Sequence, residues 1–67
     1  MSGYEFERAV YRLVEKGKRR YEDKGIHVAS NVENMMYWSI RGVYEREGAD
    51  AAEKYVNEAG LLERILG

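Results

Sequence analysis

The segment Ser30-Asn31-Val32-Glu33-Asn34-Met35-Met36-Tyr37-Trp38-Ser39-Ile40-Arg41-Gly42-Val43-Tyr44-Glu45-Arg46-Glu47-Gly48 decides the fold. Val32, Met35, Met36, Ile40, Val43 and Tyr44 recur within it at helical spacing. With Tyr37 the apolar arc covers roughly half the circumference, against the third or so that a surface helix buries. Ser30 to Glu33 has the Ser-x-x-Glu spacing of a capping box, and Gly48 stops the pattern after Glu47. The reading is a central helix over residues 31–47, covered on more than one side.

Its covers lie on either flank. Upstream, Ser2-Gly3-Tyr4-Glu5 repeats the capping-box spacing, and Phe6, Val10, Leu13, Val14, Gly17 and Tyr21 form one apolar face. Lys24-Gly25-Ile26 ends that helix, with Gly25 taking the left-handed position and Ile26 folding back onto the last turn. This predicts a first helix over 3–24, followed by a loop pinned by Ile26 and Val28. Downstream, Asp50 to Glu53 makes a third box with Asp50 as N-cap. Ala52, Tyr55, Val56, Ala59, Leu62 and Leu66 then hold one phase through Gly60. That phase predicts one helix over 51–66, broken or kinked at Gly60; the other reading is a stop there and a separate last turn, Leu61 to Leu66. The fold class is all-α, a three-helix domain spanning 1–67.

A chain of 67 residues without Cys, and with His27 as its only His, has no disulfide or common zinc framework to staple it. At this length roughly 60% of the unfolded surface is buried on folding, the marginal end for a monomer. The usual remedy is a partner subunit or very regular helix packing. No signal peptide, lipidation motif or membrane-length apolar run is legible, so the expected location is cytoplasmic, away from any membrane. Glu and Arg are abundant while Pro, Thr and Gln are absent, a weak lean toward a thermophile source.

The apolar residues exceed one small core. Phe6, Val10, Leu13, Val14, Val32, Met36, Ile40, Val43, Tyr55, Val56, Leu62 and Leu66 fill it. Tyr4, Tyr11, Tyr37, Trp38, Leu61 and Ile65 are left over. Trp38 has Asn34, Arg41 and Glu45 as helical neighbours, and exposed Trp or Tyr beside Arg is the composition of interface centres. Ser39 and Gly42 lie on the side of Met35 as a small-residue notch, where a mid-helix Gly has a packing reason. Met35, Tyr37, Trp38, Ser39 and Gly42 are therefore the expected interface, and a homodimer is the expected assembly. The competing reading lays the tyrosines flat on the surface and tucks Trp38 under the 25–30 loop.

A second candidate surface is basic. Residues 1–25 carry seven Lys/Arg against five Asp/Glu, whereas residues 26–67 carry four against seven. Arg8, Arg12, Lys16 and Arg19, widened by Lys18 and Arg20, form a stripe opposite the apolar face, bordered by Tyr4 and Tyr11. Such a stripe suits a phosphate backbone. Glu5, Glu15, Glu22 and Asp23 interrupt it, the ordinary pattern of a solvated helix. A helix-turn-helix through Gly48-Ala49-Asp50 would present Asp50, Glu53 and Glu58 to DNA, which phosphate repels. No catalytic constellation, cofactor motif or phosphate loop is legible. Glu22, Asp23 and His27 are near enough in sequence to hold a divalent ion, but a loop His beside a helix C-terminus needs no metal. The expected function is a non-enzymatic helical interaction module that self-associates or binds a protein partner. The alternative is a small nucleic-acid-binding regulatory protein using Arg8, Arg12, Lys16, Arg19 and Arg20.

Overall fold

The computed structural model describes residues 3–67, which form four helices and, among the described residues, no strand. They are α1 (Gly3–Glu22), α2 (Ser30–Glu47), α3 (Ala49–Asn57) and α4 (Leu61–Leu66). The shape is elongated, 35 × 19 × 18 Å, with α2 packed against each of the other three helices.

The end of α1 follows from local chemistry. The Ile26 N–H donates to the Tyr21 carbonyl at 3.0 Å and the Gly25 N–H to the Glu22 carbonyl at 2.9 Å. Gly25 has φ +82°. This is a Schellman motif with Gly25 at C′, so the regular helix closes at Glu22 and residues 23–25 form the turn. Val28 is buried and anchors the loop, whereas Ile26 remains half exposed.

The second and third capping boxes do not form as the spacing implies, and the first rests on a residue that is not described. Ser2 lies outside the described residues. The N-cap of α2 is Ala29, whose carbonyl accepts from the Glu33 N–H at 2.9 Å, with no side-chain cap. Ser30 is thus one residue inside the helix, because burial of Val28 sets where the chain turns in. The N-cap of α3 is Gly48, whose carbonyl accepts from the Ala52 N–H. Asp50 falls in the first turn, where its charge still favours the helix dipole.

In the core, Val10, Leu13, Val14, Met36, Ile40, Val43 and Val56 are buried as their phase predicts, joined by Val28, Tyr37 and Ala52. Phe6, Val32, Tyr55 and Leu62 pack against that core while partly exposed. At its centre is Gly17. A Cβ there would lie 2.9 Å from Met36 Cε, 3.2 Å from Leu61 Cδ2 and 3.5 Å from Val56 Cγ1. The missing side chain lets α2, α3 and α4 converge on α1.

Continuity of the third helix fails, and the stop at Gly60 is what occurs. Glu58 is extended (φ −72°, ψ 147°) and Gly60 is left-handed (φ +80°, ψ 22°), which re-aims α4. The re-aiming reverses two assignments. Leu61, off phase in the continuous reading, is 0% exposed, while Leu66, a predicted core residue, is 54% exposed.

Two consecutive residues of α1 close this break. The Arg20 guanidinium donates to the Val56 carbonyl, an acceptor at the end of α3 that the helix leaves unpaired. The Tyr21 hydroxyl accepts from the Leu62 N–H at 3.0 Å, one of the unpaired donors that open α4. Leu61→Ala is expected to lower the unfolding free energy by about 2–5 kcal/mol. Leu66→Ala should stay within about 0.5 kcal/mol. Urea titration of the two variants reads the difference, and equal losses would contradict the re-aimed α4.

Candidate functional site

Aromatic rings and one guanidinium build a continuous face across α1 and α2. Tyr11 stacks on Tyr37 with centroids 4.9 Å apart and planes at 27°; Tyr37 meets Trp38 edge-on at 5.2 Å and 78°. Both are favoured aromatic geometries. Phe6 meets Tyr44 edge-on at 5.2 Å on the inner side.

Arg41 ties these rings together. Its guanidinium carbon lies 5.3 Å from the Trp38 ring, 5.5 Å from Phe6 and 5.9 Å from Tyr37. Nε donates to Glu45 Oε1 at 2.8 Å and a terminal nitrogen donates to the Tyr37 hydroxyl at 3.0 Å. The hydrogen bond to Glu45, then that to Tyr37, raises the Arg41 pKa above its ordinary value. Arg41 is permanently charged here, and its planar group holds the indole from one side.

Trp38 is 59% exposed, so it does not tuck under the 25–30 loop, and Met35 is 40% exposed on the same helix. Tyr37 differs from the expectation of a surface residue: at 8% exposure it is a core side chain that backs the rings on either side. The wide apolar arc of α2 accounts for this burial. Ser39 and Gly42, half exposed, form the floor of a groove of about 560 Å³ between α2 and the α3–α4 arm. Trp38 and Tyr55 are among its walls, Ala51 continues the floor, and Arg46, Glu47, Lys54, Glu58 and Arg64 ring it. Arg64 lies 5.1 Å from the Tyr55 ring and pairs with Glu58 at 2.8 Å.

The sequence reading missed this second wall. The short turn at Gly48 is the signal for it, because so short a connection forces α3 back along α2 and turns Ala51 and Tyr55 toward Gly42. A second, more apolar hollow is bordered by Tyr21, Ile26, Leu62 and Leu66.

The basic stripe is divided by the fold. Lys16 pairs with Glu53 of α3, and Lys18 lies 3.5 Å from Glu33 of α2. Arg20 caps α3, and Arg8 rests 5.7 Å from the Tyr4 ring. Arg12 and Arg19 are exposed outside these contacts. Two of the five candidate phosphate ligands, Lys16 and Arg20, are therefore engaged in holding α3 on α1.

Among the described residues no group of three or more His, Asp or Glu is placed to hold a metal, so Glu22, Asp23 and His27 are not brought together. No helix of the described residues is long and apolar enough to cross a membrane. No family model, curated protein or solved structure matches the chain.

Arg20→Met should lower stability by about 1–2 kcal/mol, since it strands a carbonyl that accepts a charged hydrogen bond. Arg19→Met should cost less than about 0.5 kcal/mol, and denaturant titration separates the two. The Lys16 contact predicts a pH effect. It holds the Glu53 carboxyl below its ordinary pKa, chiefly through their hydrogen bond. Its contribution is therefore complete above the ordinary carboxylate pKa and disappears as pH falls through the lowered one. Lys16→Met should flatten the stability profile in that acid range, and high salt should do the same because the pair is exposed. An unchanged acid limb in Lys16→Met would show that Glu53 gains nothing from the contact.

Proposed function

We propose that this chain is a non-enzymatic helical interaction module that self-associates through the solvent face of α2. The observation that carries the reading is Trp38, an indole left 59% exposed yet held between Tyr37 and Arg41 at the lip of a groove. A large apolar ring is more commonly exposed as a loosely held side chain. Here its orientation is set by an edge-on ring and a guanidinium, so little freedom remains to be lost when a partner covers it. Trp, Tyr and Arg together are the residues on which binding energy concentrates. Met35 adds an adaptable apolar surface beside it, and the groove beyond Trp38 offers a concave receptor for a side chain from another molecule.

The nucleic-acid alternative draws less support. Lys16 and Arg20 already serve the fold, leaving Arg8, Arg12 and Arg19 along one edge of α1. Binding by three phosphate contacts would be weak and steeply salt-dependent.

Sedimentation equilibrium from low to high micromolar concentration tests the proposal. The expected outcome is a concentration-dependent dimer, with the Trp38 emission shifting to the red as the protein is diluted. Trp38→Ala is expected to weaken association by at least tenfold, or about 1.4 kcal/mol, while changing unfolding of the monomer far less. A wild-type protein that remains monomeric at high micromolar concentration overturns the reading.

A further inference from the structure

Gly42 stands in mid-helix, where glycine weakens a helix relative to alanine. Gly17, the other glycine inside a long helix, is explained by side chains of α2, α3 and α4 pressed against it. Gly42 has no such neighbours. The three nearest side-chain atoms to an added Cβ all belong to the guanidinium of Arg46, one turn further along the same helix, at 3.0 Å and beyond. That group is the far end of a flexible side chain and enters no ion pair among the described residues. No backbone or core side chain crowds this position, and the nearest cover is a movable side chain.

At 100° per residue, Asn31, Met35, Trp38, Gly42 and Arg46 fall within a stripe about 80° wide on the solvent side of α2. Gly42 lies at its centre. Trp38 and Arg46 stand four residues before it and four after. A stripe so arranged is complementary to itself when reversed. In a second copy laid antiparallel across it, with the two-fold axis at Gly42, each indole meets the other copy's guanidinium.

Resting on the self-association reading above, we propose that two copies pair through an antiparallel α2–α2 contact that crosses at Gly42. Trp38 of each copy packs against Arg46 of the other. The charges favour this arrangement over its rivals. A parallel pair would set Arg46 against Arg46 and Trp38 against Trp38, placing like charges together and leaving both cations without an aromatic face. In the antiparallel pair the two-fold axis supplies the cation–aromatic contact twice. Arg41 occupies the flank of Trp38 nearer Phe6 and Tyr37, so the flank bordering Ser39 and Gly42 is the one still open. Two guanidinium groups cannot share the axis, so each Arg46 swings off Gly42 as the copies meet. The notch it uncovers lets the two backbones approach closely.

The absence of Cys makes the geometry directly readable. A residue on a two-fold axis lies next to its own copy, and Cα atoms about 4.4–6.8 Å apart can be bridged by a disulfide. Single variants Gly42→Cys, Tyr4→Cys and Glu63→Cys are oxidised at a concentration where the wild type is dimeric. The expected result is a covalent dimer from Gly42→Cys and monomers from the other two. Because the side chain added in Gly42→Cys itself narrows the approach, a double-mutant cycle on the dimer constant accompanies it. Trp38→Ala and Arg46→Ala should each weaken pairing about tenfold, and the double variant much less than the product of the two. A dimeric wild type in which Gly42→Cys does not cross-link and the two effects multiply overturns this geometry and leaves self-association standing. A wild type that stays monomeric at high micromolar concentration overturns both.

Discussion

The bundle is organised around the missing side chain at Gly17. Because α1 carries only hydrogen there, Met36 from α2, Val56 from α3 and Leu61 from α4 reach the same point. A bulky residue would push all three outward at once, since close-packed interiors do not absorb extra volume locally. The interruption between α3 and α4 belongs to this arrangement. A straight continuation would carry Leu61 away from Gly17, whereas the turn through Glu58 and Gly60 delivers it there. Arg20 and Tyr21, one turn further along α1, then satisfy the carbonyl and the N–H that the interruption leaves open.

The two mid-helix glycines make an instructive pair. At Gly17 the absent side chain is used by the chain's own core. At Gly42 the nearest atoms belong to a flexible guanidinium. The same helix-weakening residue thus serves inward packing in one case and leaves an outward notch in the other. Beside that notch, Trp38 is held by Tyr37 and Arg41, and Tyr37 is itself steadied by Tyr11 and by the hydrogen bond from Arg41. An exposed ring so braced differs from a surface tryptophan of no consequence, because its pose is set before any partner arrives.

Much of the candidate site was legible from α2. The apolar period separated Met36, Ile40 and Val43 from Trp38 and Gly42, and the neighbours of Trp38 at helical spacing included Arg41 and Glu45. What the spacing lacked was depth. Tyr37 has the same character as Tyr11 in the sequence, yet one is core and the other is exposed, because Tyr11 and Trp38 flank Tyr37 from two different elements. The basic stripe is the converse. Its six cations look alike along the helix, but Lys16 and Arg20, facing α3, and Lys18, beside Glu33 of α2, acquired partners distant in sequence.

By itself the sequence determined the all-helical class, the main extents of the first two helices and most of the core, since these follow from the helical period and from Gly25 and Gly48 as stops. Tertiary structure alone decided which residue heads each helix, how the third apolar segment divides, and whether Leu61 or Leu66 is buried. The physical reason is the same in each case. Apolar phase is a property of one helix, whereas a cap, a break and a buried leucine depend on where neighbouring helices place acceptors, donors and empty volume. Arg20, Tyr21 and Gly17 supply those on α1, and nothing in residues 58–61 announces them.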